Sequence, residues 1–399
     1  HFNTIKLILK ILIAIALGIG LGFVIPEWIA RIFLTFNAIF SEYLEFIVPL
    51  LIIGFVAPTI GTLGNRAGKM VLCTIIIAYV STVATGFFTY GVCSSVFPSL
   101  IKVATVTSAT EAVEQINPYF VFEIPAIMDV CSALVLAFIL GIGAASVGSQ
   151  SIMNGLNGFG DIIKLVINKT IIPLFPLYIF GVFMDMTING ETAAMVSTFF
   201  KAIVVIFILH VLVLVLMYCI SGSIVRKNPF KSLWAMMPAY FTALGTSSSA
   251  ATIPVTIKSA VKMGINPDVA GFTVPLCATV HMPGSTMKIV ACSMALMIAH
   301  GHDIDLAMYA GLIATLAITI IAAPGVLGGA IMAAIGLLQS ILGFTENECA
   351  LMIALYITMD SFGTACNVTC DGAISQIIDH FFGEKKGGDS PQLEPQPQQ

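Results

Sequence analysis

Long apolar segments separated by short polar turns run through most of the chain, and in the first half they are almost continuous. Runs of this length predict membrane-spanning helices. Six are expected before residue 226, near 5–25, 35–63, 67–97, 118–148, 161–189 and 196–224. Lysines lead into the first, as in a signal peptide. Because it is long enough to span the membrane and no small-residue cleavage pattern follows, we expect it to be retained as a helix.

The pattern changes after residue 226, where shorter apolar pieces are broken by Ser, Gly and Pro. The breaks lie in FTALGTSSSAATIPV (241–255), ATVHMPGSTMKIV (278–290) and TIIAAPGVLGGAIM (319–332). Irregular backbone at membrane depth is tolerated only where it is buried in protein or lines a cavity. The first and third pieces each join two short apolar arms through a small-residue tip, and a fuller apolar segment follows each. This repetition predicts two re-entrant hairpins that meet at a binding site, with ordinary loops between longer helices as the alternative.

Composition places the chain among polytopic membrane proteins. Hydrophobic residues make up 58% of it and charged residues 10%, against about 25% charged in soluble proteins. A formal net charge of −4 argues against a nucleic-acid partner. The nine cysteines lie almost entirely in apolar runs and form no CxxC, so we expect neither a disulfide framework nor a zinc site.

Basic residues near helix ends predict the orientation in a cell (inner) membrane. They are Lys6, Lys10, Arg66, Lys69, Arg226, Lys227, Lys231, Lys385 and Lys386. Counting crossings places all of these groups, and both termini, on the cytoplasmic side. The polar stretch 98–117 is expected as an exposed loop on the opposite side. The tail 384–399 is rich in Pro, Gln and charge and is expected to be disordered.

The segment MDSFGTACNVTCD (359–371) carries two acids inside an apolar run. On a helix at 100° per residue, with Asp360 as zero, Thr364 lies at about +40°, Asn367 at about −20° and Asp371 at about +20°. These four residues, here called the polar stripe, therefore share one face. An acid facing lipid costs at least about 2.5 kcal/mol, so both should face protein.

The two acids of the polar stripe are separated by eleven residues, about 16 Å along a helix. That is too far for the shared proton of an aspartyl protease, and a channel would instead need rings of charge along a pore. No nucleophile–base pair stands out, so we expect no enzyme. The spacing suits an amino group at one level and a hard cation at another. The alternative is a buried structural stripe with protonated acids.

Four motifs together resemble the dicarboxylate/amino acid:cation symporter family, whose fold is glutamate-transporter-like. They are SSSAATIP (247–254), HMPGS (281–285), APGVLGG (322–329) and D-x3-T-x2-N-x3-D (360–371). The resemblance follows the segment order through most of the chain. It implies an all-α membrane protein with eight transmembrane helices and two re-entrant hairpins in inverted repeats. It further implies a homotrimer whose protomers each work by an elevator motion.

The same resemblance divides the chain into regions. Residues 1–225 would hold six helices that supply the scaffold and the trimer contacts, with the third and sixth joining the transport domain. Residues 226–383 would form the transport core. Its parts would be hairpin one (227–262), helix seven (268–299), hairpin two (305–340) and helix eight (346–382).

The family's substrate site carries over residue by residue. Asp360 matches the aspartate that binds the substrate α-ammonium, with Thr364 and Asn367 beside it in the site. Ser248 and Ser249 match the tip of hairpin one, which receives the α-carboxylate. Two further matches, Pro324 and Gly325, lie in the hairpin-two tip that acts as the extracellular gate.

Two departures from the family bear on the substrate. Gly363 stands where transporters of acidic amino acids have an arginine, and Ser247 stands at another position that is arginine in some relatives. Without them a second substrate carboxylate would lack a bidentate partner. We therefore expect a small neutral amino acid such as serine, threonine or alanine. An acidic amino acid or dicarboxylate is the alternative, since Lys288 or His281 could supply charge.

The cation sites depart as well. Pro283 replaces the aspartate of a deeper sodium site, and Ala78 and Tyr79 fall where helix three should supply hydroxyl groups, so one sodium site is expected to be missing. The remaining candidate ligands are Asp371, Asn367, Cys277, His281, Thr279 and Met282. The coupling ion is expected to be Na⁺, or a proton at one site through His281.

Overall fold

The computed structural model describes residues 2–64, 69–101, 116–128, 130–190, 192–322 and 328–383, and all regular structure in these ranges is helical. The hairpin-two tip residues Pro324 and Gly325, and the tail 384–399, lie outside the described residues. Five described helices are long and apolar enough to cross a membrane, or six if one sharply bent pair counts as a single span. The chain is a multi-pass membrane protein.

The described residues of the first half form seven α-helices. They are α1 (Phe2–Gly22), α2 (Glu27–Gly64), α3 (Lys69–Leu100), α4 (Val130–Val147), α5 (Gln150–Val166), α6 (Ile172–Ile188) and α7 (Thr192–Val225), with a π-helical turn, Ile167–Ile171, joining α5 to α6. The helix predicted at 118–148 was placed too early, because the described residues 116–128 are non-helical and contain Pro118 and Pro125, which each remove a backbone donor. The helix predicted at 161–189 was placed too late. The observed helix α5 begins earlier, at Gln150, after the cap residue Ser149. The asparagines and glycines of α5 lower its mean hydropathy, so the apolar pattern does not reveal its start.

In the second half the described residues form nine helices, most of them short. They are α8 (Pro229–Ala235), α9 (Met237–Thr246), α10 (Ser249–Lys262), α11 (Pro267–Val280), α12 (Pro283–Ala299), α13 (Leu306–Thr319), α14 (Gly329–Leu342), α15 (Glu346–Thr358) and α16 (Asp360–Phe382). The helix breaks fall where Ser, Gly and Pro predicted them. In the first, Ser247 adopts a left-handed conformation (φ 50°) and Ser248 caps α10. In the second, Pro283 stands at the first position of α12, where its missing N–H removes no helical hydrogen bond.

The predicted helix 346–382 is not one straight helix. It consists of α15 and α16, which meet at Met359 with a bend of 62°. No proline or glycine stands at the bend, so the apolar pattern through this region gives no sign of it. The bend makes Asp360 the first residue of α16, and the positive end of a helix dipole favours a carboxylate there.

α16 lies at the centre of the second half and packs against α7, α9, α10, α11 and α12. Nearly all of its residues from Gly363 to Ile378 are buried, although many are polar. α3 packs on α12 and α13, whereas α1, α2, α4, α5 and α6 contact one another. Apolar side chains on the outer faces of α3 and α7 are exposed, as expected of helices that face lipid. The central helix is therefore shielded by protein.

Candidate functional site

A cavity of about 190 Å³ lies where the α9–α10 turn, the α11–α12 break, the start of α14 and the α15–α16 bend approach one another. Its described lining residues are Ser247, Ser248, Ser249, Ala250, Ala278, Thr279, Met282, Ser285, Gly329, Ala330, Tyr356, Asp360, Thr364 and Asn367. The volume is below the roughly 300 Å³ at which sites for drug-sized ligands begin. The cavity is thus small, rich in hydroxyl groups, and supplied with one carboxylate.

The predicted substrate residues converge on this cavity from two distant segments. Ser248 and Ser249 enter from the α9–α10 turn, and Asp360, Thr364 and Asn367 from α16. The turn is tied to α16 by a 2.6 Å hydrogen bond between the hydroxyl groups of Ser247 and Ser361. Because Ser249 begins α10, free backbone N–H groups and the positive end of the helix dipole face this region, an arrangement that suits a carboxylate.

Both carboxylate oxygens of Asp360 have partners among the described residues. Lys288 Nζ lies 3.1 Å from its Oδ1, and the backbone N–H of Gly328 donates to Oδ2 at 2.8 Å. Lys288 itself is 1% exposed, which makes the two groups a buried ion pair beside the cavity. Sequence reasoning named Lys288 as a possible source of charge but did not pair it with Asp360. The pairing depends on the bend at Met359, which the apolar pattern does not reveal.

Lys288 has two further partners around its ammonium group. Nζ lies 3.4 Å from the Met359 carbonyl oxygen and 3.6 Å from the centre of the Tyr356 ring, a cation–π distance. Its chain passes over Gly363, where a Cβ would overlap Cε and Nζ of the lysine. Gly363 does not line the cavity, unlike the other predicted α16 residues. Its missing side chain instead makes room for Lys288.

Asn367 holds the two broken helices together. Its Oδ1 accepts hydrogen bonds from the backbone N–H groups of Gly284 (2.8 Å) and Ser285 (3.4 Å), and its Nδ2 donates to Ser285 Oγ. The amide therefore caps the N-terminus of α12 while the residue also faces the cavity. The predicted role of Asn367 beside substrate is compatible with this position.

Asp371 lies deeper than the cavity. Its Oδ1 is 2.9 Å from His281 Nδ1, and Ser81 Oγ is 3.0 Å from the other ring nitrogen. His281 and Asp371 are almost fully buried, at 0% and 1% exposed. Ser81 was missed by sequence reasoning, which considered Ala78 and Tyr79. Ala78 has no hydroxyl, and the hydroxyl of Tyr79 donates to the carbonyl of Ala314.

The six candidate cation ligands fall into three places. Thr279, Met282 and Asn367 line the cavity, and Cys277 packs in an apolar cluster with Ile374 and Ile378. Asp371 and His281 form the deeper pair. Within the described ranges no three His, Cys, Asp or Glu side chains form a group suited to a metal ion. A cation here would thus depend mainly on hydroxyl, amide and backbone oxygens, which are ligands suited to hard ions.

The polar stripe faces the broken helix in antiparallel order. Asp360 meets Lys288, Asn367 meets Gly284 and Ser285, and Asp371 meets His281. All four stripe residues are buried, as the helical spacing predicts. Because the two acids have separate basic partners, they do not share a proton, which is what an aspartyl-protease dyad requires.

Comparison with known families settles the class. A model of the sodium:dicarboxylate symporter family matches residues 7–381, nearly the whole chain. The chain belongs to this family. Its members are transporters and not enzymes, which confirms both the resemblance and the expectation that no enzyme is present. Membership implies a small substrate, a membrane location and coupling to a cation.

Individual relatives are distant but span the full length. The serine/threonine transporter SstT of Acinetobacter baumannii strain AYE is 26% identical over 395 residues, which cover 95% of this chain and 97% of the relative. The transporters of the same name from strains AB307-0294 and AB0057 give the same identity and coverage. These relatives are named for two small neutral amino acids.

Proposed function

We propose that this member of the family is a cation-coupled symporter of a small neutral amino acid such as serine, threonine or alanine. The observation that carries the proposal is the small cavity in which the start of α10 and the Asp360 carboxylate face the same space. A zwitterion matches this pair of ends, one of which suits an anion and the other a cation. The names of the distant relatives agree with such a substrate.

In the proposed binding mode the α-carboxylate lies at Ser248 and Ser249, and the α-ammonium lies at Asp360. The substrate side chain then faces Thr364 and Ser285, whose hydroxyl groups accept or donate hydrogen bonds. Serine and threonine gain partners there, and alanine leaves few polar groups unpaired. A cavity of about 190 Å³ favours a short side chain over a long one.

An acidic substrate is disfavoured by the charges near the cavity. Gly363 and Ser247 supply no positive charge, and Lys288 is 1% exposed and is not among the described residues that line the cavity. A second carboxylate would therefore be desolvated without a bidentate partner. The description of the family as dicarboxylate symporters covers the group as a whole, and we propose that this chain departs from it in substrate.

For the coupling ion we propose Na⁺ and keep two candidate places for it. One is beside Asp371 at the deeper level, and the other is at the cavity, near Asn367, Thr279 and Met282. The alternative is a proton, and the 2.9 Å contact between His281 and Asp371 is the observation that keeps it open. We also carry forward the family's further features as proposals: eight spans with two re-entrant hairpins, elevator motion, a homotrimer, and cytoplasmic termini in the cell (inner) membrane.

The test uses purified protein in liposomes, with labelled serine outside and Na⁺ and pH gradients imposed separately. We expect accumulation under an inward Na⁺ gradient and its loss in Asp360→Asn. Asp161→Asn is the matched control, because Asp161 is exposed and its ion pair with Lys164 is on the surface. Uptake of glutamate without any neutral amino acid would overturn the substrate proposal. Uptake that survives without Na⁺ but collapses with the pH gradient would assign coupling to protons.

A further inference from the structure

The buried ion pair between Lys288 and Asp360 raises a question that the proposed binding mode leaves open. Asp360 is the group that the substrate ammonium should meet, yet Oδ1 and Oδ2 both have protein partners. The lysine that contacts Oδ1 belongs to α12 and is 1% exposed. An ammonium group supplied by the protein therefore lies where the substrate would supply one.

A symporter that accumulates its substrate must return the empty site across the membrane before it can load again. A buried carboxylate with no cation is strongly unfavourable in that empty state, because it has lost its hydration without gaining a partner. In this chain Lys288 provides the missing partner. The charges of Asp360 and Lys288 cancel, so the Asp360 end of the empty cavity carries no uncompensated charge.

We propose that Lys288 is a tethered counter-ion that holds Asp360 in the empty cavity and yields it to the ammonium group of the arriving amino acid. This inference rests on the proposed function, since it assigns a step to the same site. It makes Lys288 a positioning residue for the return of the empty transporter. It also predicts that substrate and lysine compete for one carboxylate.

Two features allow Lys288 to yield without becoming an isolated charge. The Met359 carbonyl at 3.4 Å and the Tyr356 ring at 3.6 Å remain as partners when the carboxylate turns toward substrate. An ammonium group on a flexible four-carbon stem can shift among such partners more readily than a guanidinium. Each carboxylate oxygen accepts more than one hydrogen bond, so sharing is also possible during the exchange.

Gly363 supports the inference independently. A Cβ at this position would overlap Cε and Nζ of Lys288, which are the atoms that must reach Asp360. The glycine therefore keeps the space for the lysine chain open. Gly363→Ala should displace the ammonium from Asp360 without removing any charged group, which provides a second route to the same defect.

The experiment compares two activities of the same proteoliposomes. Net uptake of labelled serine into serine-free vesicles requires the empty site to return. Exchange against unlabelled internal serine does not. In Lys288→Met we expect net uptake to fall by about tenfold or more while exchange persists. The apparent affinity for serine should rise, because the competing ammonium group is gone. Lys262→Met, an exposed lysine on α10, should leave both activities unchanged.

Gly363→Ala should show the same split between net uptake and exchange. Because it acts through the lysine, Gly363→Ala in the Lys288→Met background should add little further loss, a non-additive result. Equal loss of net uptake and exchange in both single variants, or additive losses in the double variant, would show a merely structural role. Unchanged activity in both single variants would equally overturn the inference.

The wild-type protein separates this inference from the proposed function. If the wild type catalyses neither net uptake nor exchange of any small neutral amino acid, the proposed function fails and the inference fails with it. If the wild type performs both and the variants show no split, only the inference fails. If Lys288→Met does not insert or fold, Lys288→Gln replaces it, because glutamine keeps a polar group on a long side chain. The same loss of net uptake with retained exchange is expected.

Discussion

Two basic side chains of the broken helix each face one acid of the polar stripe. Lys288 meets Asp360 beside the cavity, and His281 meets Asp371 at a deeper level. The two acids are thus in different environments although they share a helix face. We infer that they perform different tasks, one for substrate and one for the coupling ion.

Substitution of each acid should separate these tasks. We expect Asp371→Asn to raise the Na⁺ concentration needed for half-maximal serine uptake by about tenfold or more, because a charged oxygen ligand is lost. The apparent affinity for serine, measured at saturating Na⁺, should change less. Asp360→Asn should act mainly on serine. Titration of exchange with Na⁺ and with serine measures both constants. Equal effects of both variants on both constants would contradict the assignment.

Gly284 lies where α12 packs closely against α16, and its lack of a side chain allows this contact. A Cβ at Gly284 would lie 2.6 Å from the Gly363 carbonyl oxygen and 2.7 Å from Cys366 Cβ. Backbone cannot give way as a flexible side chain does, so Gly284→Ala should lower the free energy of unfolding by about 1–3 kcal/mol. Gly271 in α11 has nothing within 4 Å, and Gly271→Ala should be neutral or stabilising. Thermal unfolding in detergent compares the two.

At the scale of elements, the helix breaks position the site. The break before α12 is held by Asn367, which satisfies backbone N–H groups that would otherwise be buried without partners. The turn before α10 is held by the Ser247–Ser361 hydrogen bond. Both ties end on α16, so this helix fixes the geometry of the cavity walls.

Removal of the cap should therefore affect stability as well as transport. Asn367→Ala leaves the N–H groups of Gly284 and Ser285 without an acceptor, and we expect a loss of about 1–3 kcal/mol in the free energy of unfolding. Asn154→Ala is the control, since Asn154 is exposed and bonds only Gln150 among the described side chains. Chemical unfolding followed by intrinsic fluorescence measures the difference. A stable Asn367→Ala protein would show that other groups cap α12.

Sequence predicted these elements unevenly, for identifiable reasons. Breaks at 247–248 and 281–282 follow from Ser and Pro, and the polar stripe follows from helical spacing. The bend at Met359 could not be predicted, because no proline or glycine stands at it and the residues around it are compatible with a continuous helix. The pairing of each stripe residue with its partner was also missed, because contacts between α12 and α16 depend on tertiary packing, which the sequence pattern does not show. The start of α5 was missed because its polar residues lower the apolar signal.

At the scale of the molecule, the described helices fall into two groups by their contacts. α3 and α7 pack against the second half, whereas α1, α2, α4, α5 and α6 contact one another. A smaller set of contacts joins the two groups, among them a 3.3 Å hydrogen bond from the Tyr178 hydroxyl on α6 to the Glu346 carbonyl on α15. The predicted division into a scaffold and a mobile transport domain gives this grouping a functional meaning.

Cross-linking tests that division. In a cysteine-free background, cysteines at Tyr178 and Glu346 joined by a reducible bifunctional reagent should tie scaffold to transport domain and abolish exchange. The same reagent between cysteines at Tyr79 and Ala314, where the tyrosine hydroxyl donates to the Ala314 carbonyl, joins α3 to α13 and should leave exchange intact. Reduction of the first cross-link should restore activity. Loss of exchange with the second would show that α3 belongs to the scaffold.

The Lys288–Asp360 pair has a consequence for electrical behaviour. A membrane potential does work on a net charge that crosses it, about 2.3 kcal/mol per elementary charge per 100 mV. Because the acid and the lysine move as one neutral unit, the field exerts almost no net force on this part of the unloaded protein. The return of the unloaded protein should then gain almost no voltage dependence from this pair.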